Sequence, residues 1–131
     1  MLRVLPSILL AGFLAFMGTV VVMSNQGKEI ALFRLFAGIP HFDKIGHFLL
    51  MGIASFLAVF ALSPRLKTPV RKGALFVTMG VGLFVSMEEL SQVFFASRTF
   101  SPADLLCSLL GVAIFGALAA RWVLALDKNP R

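Results

Sequence analysis

Residues 101–126 read SPADLLCSLLGVAIFGALAARWVLAL, a helix start followed by a nearly unbroken apolar run. Ser101 is a suitable helix cap, Pro102 fits the first helical turn, and Asp104 follows the cap by three residues, as in a capping box. A helix needs about 20 apolar residues to cross a hydrocarbon core about 30 Å thick. The stretch therefore predicts a transmembrane helix over residues 103–126.

Three further apolar runs of similar length lie upstream, at residues 4–23, 45–62 and 73–95. Backbone groups in hydrocarbon find no water to bond, so such runs form helices. Asp43 is a candidate cap for the second run. Residues 30–36 (IALFRLF) are too short to cross and carry a central arginine, which favours a short interfacial helix. The chain is thus predicted to be a single all-α domain, 1–131, an integral membrane bundle of four transmembrane helices with a short interfacial segment after the first helix.

The composition agrees with a membrane protein and argues against other classes. Hydrophobic residues make up 59% and charged residues 14% of the chain, against about 45–50% and about 25% in soluble domains. The net charge is +6, but the cations stand between and beside the apolar runs, so no nucleic-acid partner is expected. The one cysteine, Cys107, lies in an apolar run and is interpreted as a small buried hydrophobe.

The basic residues also predict an orientation. Four spans put both termini on one side of the membrane, and that side would carry Arg3, Arg65, Lys67, Arg71, Lys72, Arg121, Lys128 and Arg131. The opposite side would carry Lys28, Arg34, Lys44 and Arg98. Because cytoplasmic loops carry the excess of Lys and Arg, both termini are predicted to be cytoplasmic, with the protein in the plasma membrane. Loops 24–44 and 96–102 would then face outward.

Polar side chains interrupt the apolar helices mainly near the predicted outer face. Ionisable residues in membrane helices are costly and indicate a functional site by default. The second and fourth helices begin at this face and the third ends there, so the topology brings their polar groups together. Glu88 and Glu89 lie about 100° apart around their helix, so only one is expected to point fully into the site. The predicted binding cluster consists of Asp43, Lys44, His47, Glu88, Glu89, Gln92, Arg98, Asp104 and Ser108.

Part of this cluster also has a structural interpretation. Asp43 and Asp104 lie at helix starts, where a carboxylate is favoured, and Lys44 can extend to the membrane surface. Capping does not explain the positions of His47, Glu89 and Gln92 inside apolar helices. A purely structural role, in which these charged side chains pair only to hold the helix ends together, therefore remains an alternative to a binding site.

Three motifs stand in order along the chain, each at the predicted end of a span. They are Asp43-Lys44-x-x-His47-Phe48, then Glu89-x-x-Gln92, then Arg98 with Asp104 six residues on, followed by Gly111. This order resembles the VanZ-like family of membrane proteins over residues 43–116. Family members commonly have aspartate where Glu88 stands and asparagine where Ser108 stands. The resemblance implies a cell-envelope protein from a family whose namesake is associated with resistance to the glycopeptide teicoplanin.

The cluster suggests three functions. The first is binding or handling a phosphate-bearing membrane lipid or lipid-linked envelope precursor, with Lys44 and Arg98 holding the headgroup. The second is an intramembrane enzyme that uses His47 and a carboxylate as acid and base, and the third is a structural subunit that joins a membrane protein partner or a second copy. No catalytic residue is assigned and no cofactor is expected. A divalent ion on His47 and carboxylates is the weaker alternative, because the set lacks a clear ligand spacing.

Overall fold

The computed structural model describes residues 4–28 and 30–128, except for the side chain of Leu32. These residues form α1 (Leu5–Asn25), α2 (Ala31–Arg34), α3 (Phe42–Leu62), α4 (Val70–Ser91) and α5 (Pro102–Lys128). Short 3-10 turns at Ser63–Arg65 and Gln92–Phe94 follow α3 and α4, and no strand occurs in the described ranges. Arg3 and Arg131, which contribute to the predicted orientation, lie outside them.

Four helices, α1, α3, α4 and α5, are long and apolar enough to cross a membrane. Their outward faces expose large apolar side chains such as Phe76, Leu83 and Phe84, which would be costly in water and suit a lipid surround. The predicted all-α bundle of four membrane-type helices is therefore confirmed. The short α2 lies where the sequence predicts a short helix after the first span.

The helix starts differ from the sequence prediction in an instructive way. In α5, the Ser101 hydroxyl accepts a hydrogen bond from the Asp104 backbone N–H at 3.3 Å, as the capping pattern predicts. In α3, the prediction that Asp43 is the cap is wrong. His41 occupies the cap position in a left-handed conformation (φ 57°), and Asp43 lies in the first turn. Helix α3 begins at Phe42 and α4 begins at Val70, each about one turn before the predicted starts at residues 45 and 73.

Small residues allow α3 and α5 to pack closely at the centre of the bundle. A Cβ atom on Gly111 would collide with the Phe48 backbone carbonyl, and one on Gly52 would lie 2.7 Å from the Phe115 ring. The Ser55 hydroxyl donates to the Val112 carbonyl at 2.9 Å across the same interface. Close backbone approach of this kind is how membrane helices gain packing energy without a hydrophobic driving force.

Helix α1 packs more loosely than the others. Only Pro6 and Leu10 are buried along it, and Leu10 rests on Ala58 and Ala61 of α3. At its other end, Ser97 Oγ lies 3.0 Å from the Ser24 carbonyl oxygen and 2.8 Å from that of Asn25. Helices α1 and α4 therefore end, and α3 and α5 begin, at one end of the bundle, which we call the polar end.

Candidate functional site

The polar side chains of the site form three groups. The most deeply buried of these groups centres on Glu89 of α4, whose side chain is 1% exposed. Its Oε2 atom accepts a hydrogen bond from Gln92 Nε2 at 2.8 Å and lies 3.8 Å from Nδ1 of His47 on α3. The same Nδ1 atom lies 3.1 Å from the hydroxyl of Ser108, which is fully buried on α5. Three helices thus meet through these four side chains.

The second oxygen of Glu89 is also buried, and it makes no hydrogen bond with any residue the structure describes. A buried carboxylate with half of its acceptors unused is expensive inside an apolar bundle. An apolar side chain would fill the space without that cost, so packing alone does not account for Glu89.

A second group joins the loop after α4 to the end of α1. The Arg98 Nη1 atom donates to Glu88 Oε1 at 2.8 Å and lies 3.2 Å from Asn25 Oδ1. Both contacts use one nitrogen of the guanidinium, and its Nε and Nη2 atoms make no hydrogen bond within residues 4–28 and 30–128. Because the arginine fork has five N–H donors, Arg98 keeps most of its donor capacity.

A third group lies at the surface of the polar end. Lys44 Nζ is 2.9 Å from Asp43 Oδ2 and 3.2 Å from Asp104 Oδ1, although the second contact lacks hydrogen-bond geometry. The Asp43 side chain is 57% exposed, so solvent screens its attraction to Lys44. They connect the starts of α3 and α5.

A cavity of about 330 Å³ lies between α1 and α3 and reaches the polar end. Its polar lining comes from Ser24, Asp43, His47, Glu88 and Arg98. The rest of its wall is apolar and includes Met17, Val20, Val21, Leu50 and Met51. A neighbouring hollow of about 240 Å³, lined by Lys28 and Arg34, shares Val20, Ser24 and Phe33 with it. The cavity between α1 and α3 therefore has an amphipathic lining, with its polar side chains at the polar end of the bundle.

His47 connects the buried group to the cavity. Its ring lines the cavity while its Nδ1 atom contacts Ser108 and Glu89, and its Nε2 atom makes no hydrogen bond with a described residue. A serine nucleophile needs the acid and the serine at opposite ring nitrogens. Here both lie at Nδ1, which does not fit that arrangement.

All nine residues of the predicted cluster lie at the polar end, but they form three groups. His47 joins Glu89, Gln92 and Ser108, whereas Arg98 pairs with Glu88. Lys44 pairs with the two aspartates and does not line the cavity, whereas Arg98 does. Asn25, which contacts Arg98, is not among the predicted residues, and its only sequence signal is its position at the end of an apolar run.

Metal binding and similarity to other proteins add no further indication. Within the described part of the chain, no group of three or more His, Cys, Asp and Glu side chains could hold a metal ion. No protein-family model, curated protein or solved structure matches the chain. Its function is therefore inferred from the site itself.

Proposed function

We propose that this chain is a VanZ-like integral membrane protein of the cell envelope that binds a phosphate-bearing lipid or a lipid-linked envelope component at its polar end. One observation carries the proposal. The cavity between α1 and α3 is apolar along most of its wall and polar at one end, which is the pattern of an amphiphile with a headgroup and a tail. The motifs from Asp43 to Gly111 are the ground for the family membership and for a link to glycopeptide resistance.

Arg98 is the side chain best suited to hold a phosphate. It lines the cavity, and its Nη1 atom already neutralises Glu88, so the cation is fixed in place. Its Nε and Nη2 donors match the bidentate geometry that guanidinium groups use for phosphate oxygens. His47 lines the same cavity and would add a third donor in the Nε2-H form.

The experiment compares Arg98→Lys with Arg121→Lys, the same change in an exposed residue of α5. Delipidated full-length protein in detergent is titrated with dodecyl phosphate and with two-chain phosphatidic acid, and complexes are counted by native mass spectrometry. Lysine keeps the charge but loses the fork, so Arg98→Lys should weaken binding of at least one probe about tenfold, which corresponds to about 1.4 kcal/mol. Arg121→Lys should bind like the parent. Equal binding by both variants would refute the proposal.

A second candidate is acid–base chemistry on a lipid-linked substrate. The observation that favours it is the position of His47, which lines the cavity and is held at Nδ1 by its contacts with Ser108 and Glu89. Under this alternative, phosphate lipids in the mass spectra would be converted over time rather than only retained. A membrane protein partner or a second copy in the same spectra would instead favour the role of a complex subunit.

A further inference from the structure

We propose that the cavity between α1 and α3 holds a single hydrocarbon chain, so that the ligand is a phosphate amphiphile with one chain rather than a two-chain phospholipid. This inference rests on the proposed function for the headgroup and adds the class of lipid. It follows from the length of the cavity, its volume and the packing of α1.

The length of the cavity matches one leaflet. Its lining on α3 extends from Asp43 at the polar end to Met51, which is about 12 Å along the helix at 1.5 Å per residue. Half of a typical hydrocarbon core is about 15 Å. A chain whose headgroup lies beside Arg98 would therefore follow the cavity to a depth near the middle of the membrane.

The volume and lining suit one chain. About 330 Å³ is at the low end of the range of about 300–1,000 Å³ that small-ligand sites occupy, which favours one hydrocarbon chain over two side by side. Met17 and Met51 face this space from opposite walls, and methionine adapts its shape to flexible apolar partners. Gly46 widens the cavity, since a Cβ atom there would meet nothing within 4 Å.

The packing of α1 provides a route from the lipid. The helix is attached near Leu10 at one end and through Ser24 and Asn25 at the other, and the cavity lies between these two attachments. The hydrocarbon chain of a lipid can therefore enter sideways between α1 and α3 without passing through water. Inorganic phosphate has no hydrocarbon tail, so the apolar wall of the cavity would not increase its affinity.

The test fills the cavity without touching the headgroup site. Gly46→Leu places a side chain in the open space, and Gly80→Leu is its matched control, since Gly80 on α4 also has nothing within 4 Å and does not line the cavity. The probes are dodecyl phosphate, two-chain phosphatidic acid and inorganic phosphate. The parent and Gly80→Leu should bind dodecyl phosphate at least about tenfold more tightly than the other two, and Gly46→Leu should lose about tenfold in affinity while melting like the parent.

The outcomes separate this inference from the proposed function. If Gly46→Leu binds dodecyl phosphate like the parent while Arg98→Lys does not, the headgroup site stands and the single-chain inference is overturned. Tight binding of phosphatidic acid overturns it as well. If neither variant changes binding, both proposals fail. Should Gly46→Leu melt below the parent, Val20→Trp fills the same cavity from α1 and must show the same loss.

Discussion

Glu88 and Glu89 are neighbours in sequence but serve different partners. Glu88 lines the cavity and pairs with Arg98, whereas Glu89 turns into the bundle toward His47 and Gln92. The same Glu→Gln change at the two positions therefore removes different interactions. This makes the two residues natural controls for each other.

Glu89→Gln keeps the size of the side chain and removes its charge. Among the described residues, no lysine or arginine forms a salt bridge with this carboxylate, and Gln92 can donate to the new amide oxygen, so the variant should insert and melt within a few degrees of the parent. Binding of dodecyl phosphate should fall several-fold, because the buried carboxylate no longer helps to hold the His47 side chain in place beside the cavity. Thermal unfolding and probe binding are measured on the same preparation.

Glu88→Gln is the matched control for this experiment. It leaves the Arg98 guanidinium, which is only 12% exposed, without its anionic partner and should cost about 1.5–3 kcal/mol of stability. If Glu89→Gln lost stability and Glu88→Gln did not, Glu89 would be the structural residue of the pair. A Glu89→Gln variant with parental stability and parental binding would leave that carboxylate without a role.

The sequence could predict that Glu89, His47 and Gln92 lie near one another, but not which group pairs with which. The unusual cost of a carboxylate in an apolar run and the topology of three helix ends are both readable from the residues. Whether Glu88 or Glu89 faces Arg98 depends on the rotation of α4 about its own axis, because consecutive side chains of a helix point about 100° apart. That rotation is set by packing, which periodicity alone does not fix.

Among the helices, α3 and α5 form the pair on which the rest of the site depends. His47 and Ser108 contact each other across this pair only because the two backbones approach closely near Phe48 and Gly111. The apolar pattern of each helix was sufficient to predict its existence. The earlier start of α3 was not predictable in the same way, because a left-handed conformation at a non-glycine residue such as His41 carries no clear sequence signal.

Gly111→Ala tests this approach of the helices. The added methyl group would collide with the Phe48 backbone carbonyl, which cannot rotate away as a side chain could. Overpacking of this kind costs about 1–3 kcal/mol, so the variant should unfold at a lower temperature in detergent and weaken the His47–Ser108 contact. Gly80→Ala adds the same methyl group in open space on α4 and should not destabilise the protein. Equal melting temperatures for the two variants would contradict the packing described for α3 and α5.

At the scale of the whole molecule, the two ends of the bundle differ in chemistry. The polar end holds mixed charges that pair with one another, together with the mouth of the cavity. The other end carries the cations of the loop between α3 and α4 and of the end of α5, with Asp127 as the one acid of that region. The proposed orientation would place the mouth of the cavity at the outer leaflet.

Reporter fusions test this orientation. The positive-inside rule places the loop at residues 63–72 and the C-terminus in the cytoplasm, because eight of the twelve Lys and Arg residues belong to that side. A reporter active only in the cytoplasm should give a signal after residue 131 and within residues 63–72, and none near Gly38.

Replacing Arg65, Lys67, Arg71 and Lys72 together by Gln would leave four cations on each side, so the signal after residue 131 should fall as part of the population inverts. Neutralising Lys28 and Arg34 instead should strengthen the original orientation and serves as the control. An external signal after residue 131 in the unmodified chain would place the cavity mouth on the cytoplasmic side, and the ligand would then have to be a lipid of the inner leaflet.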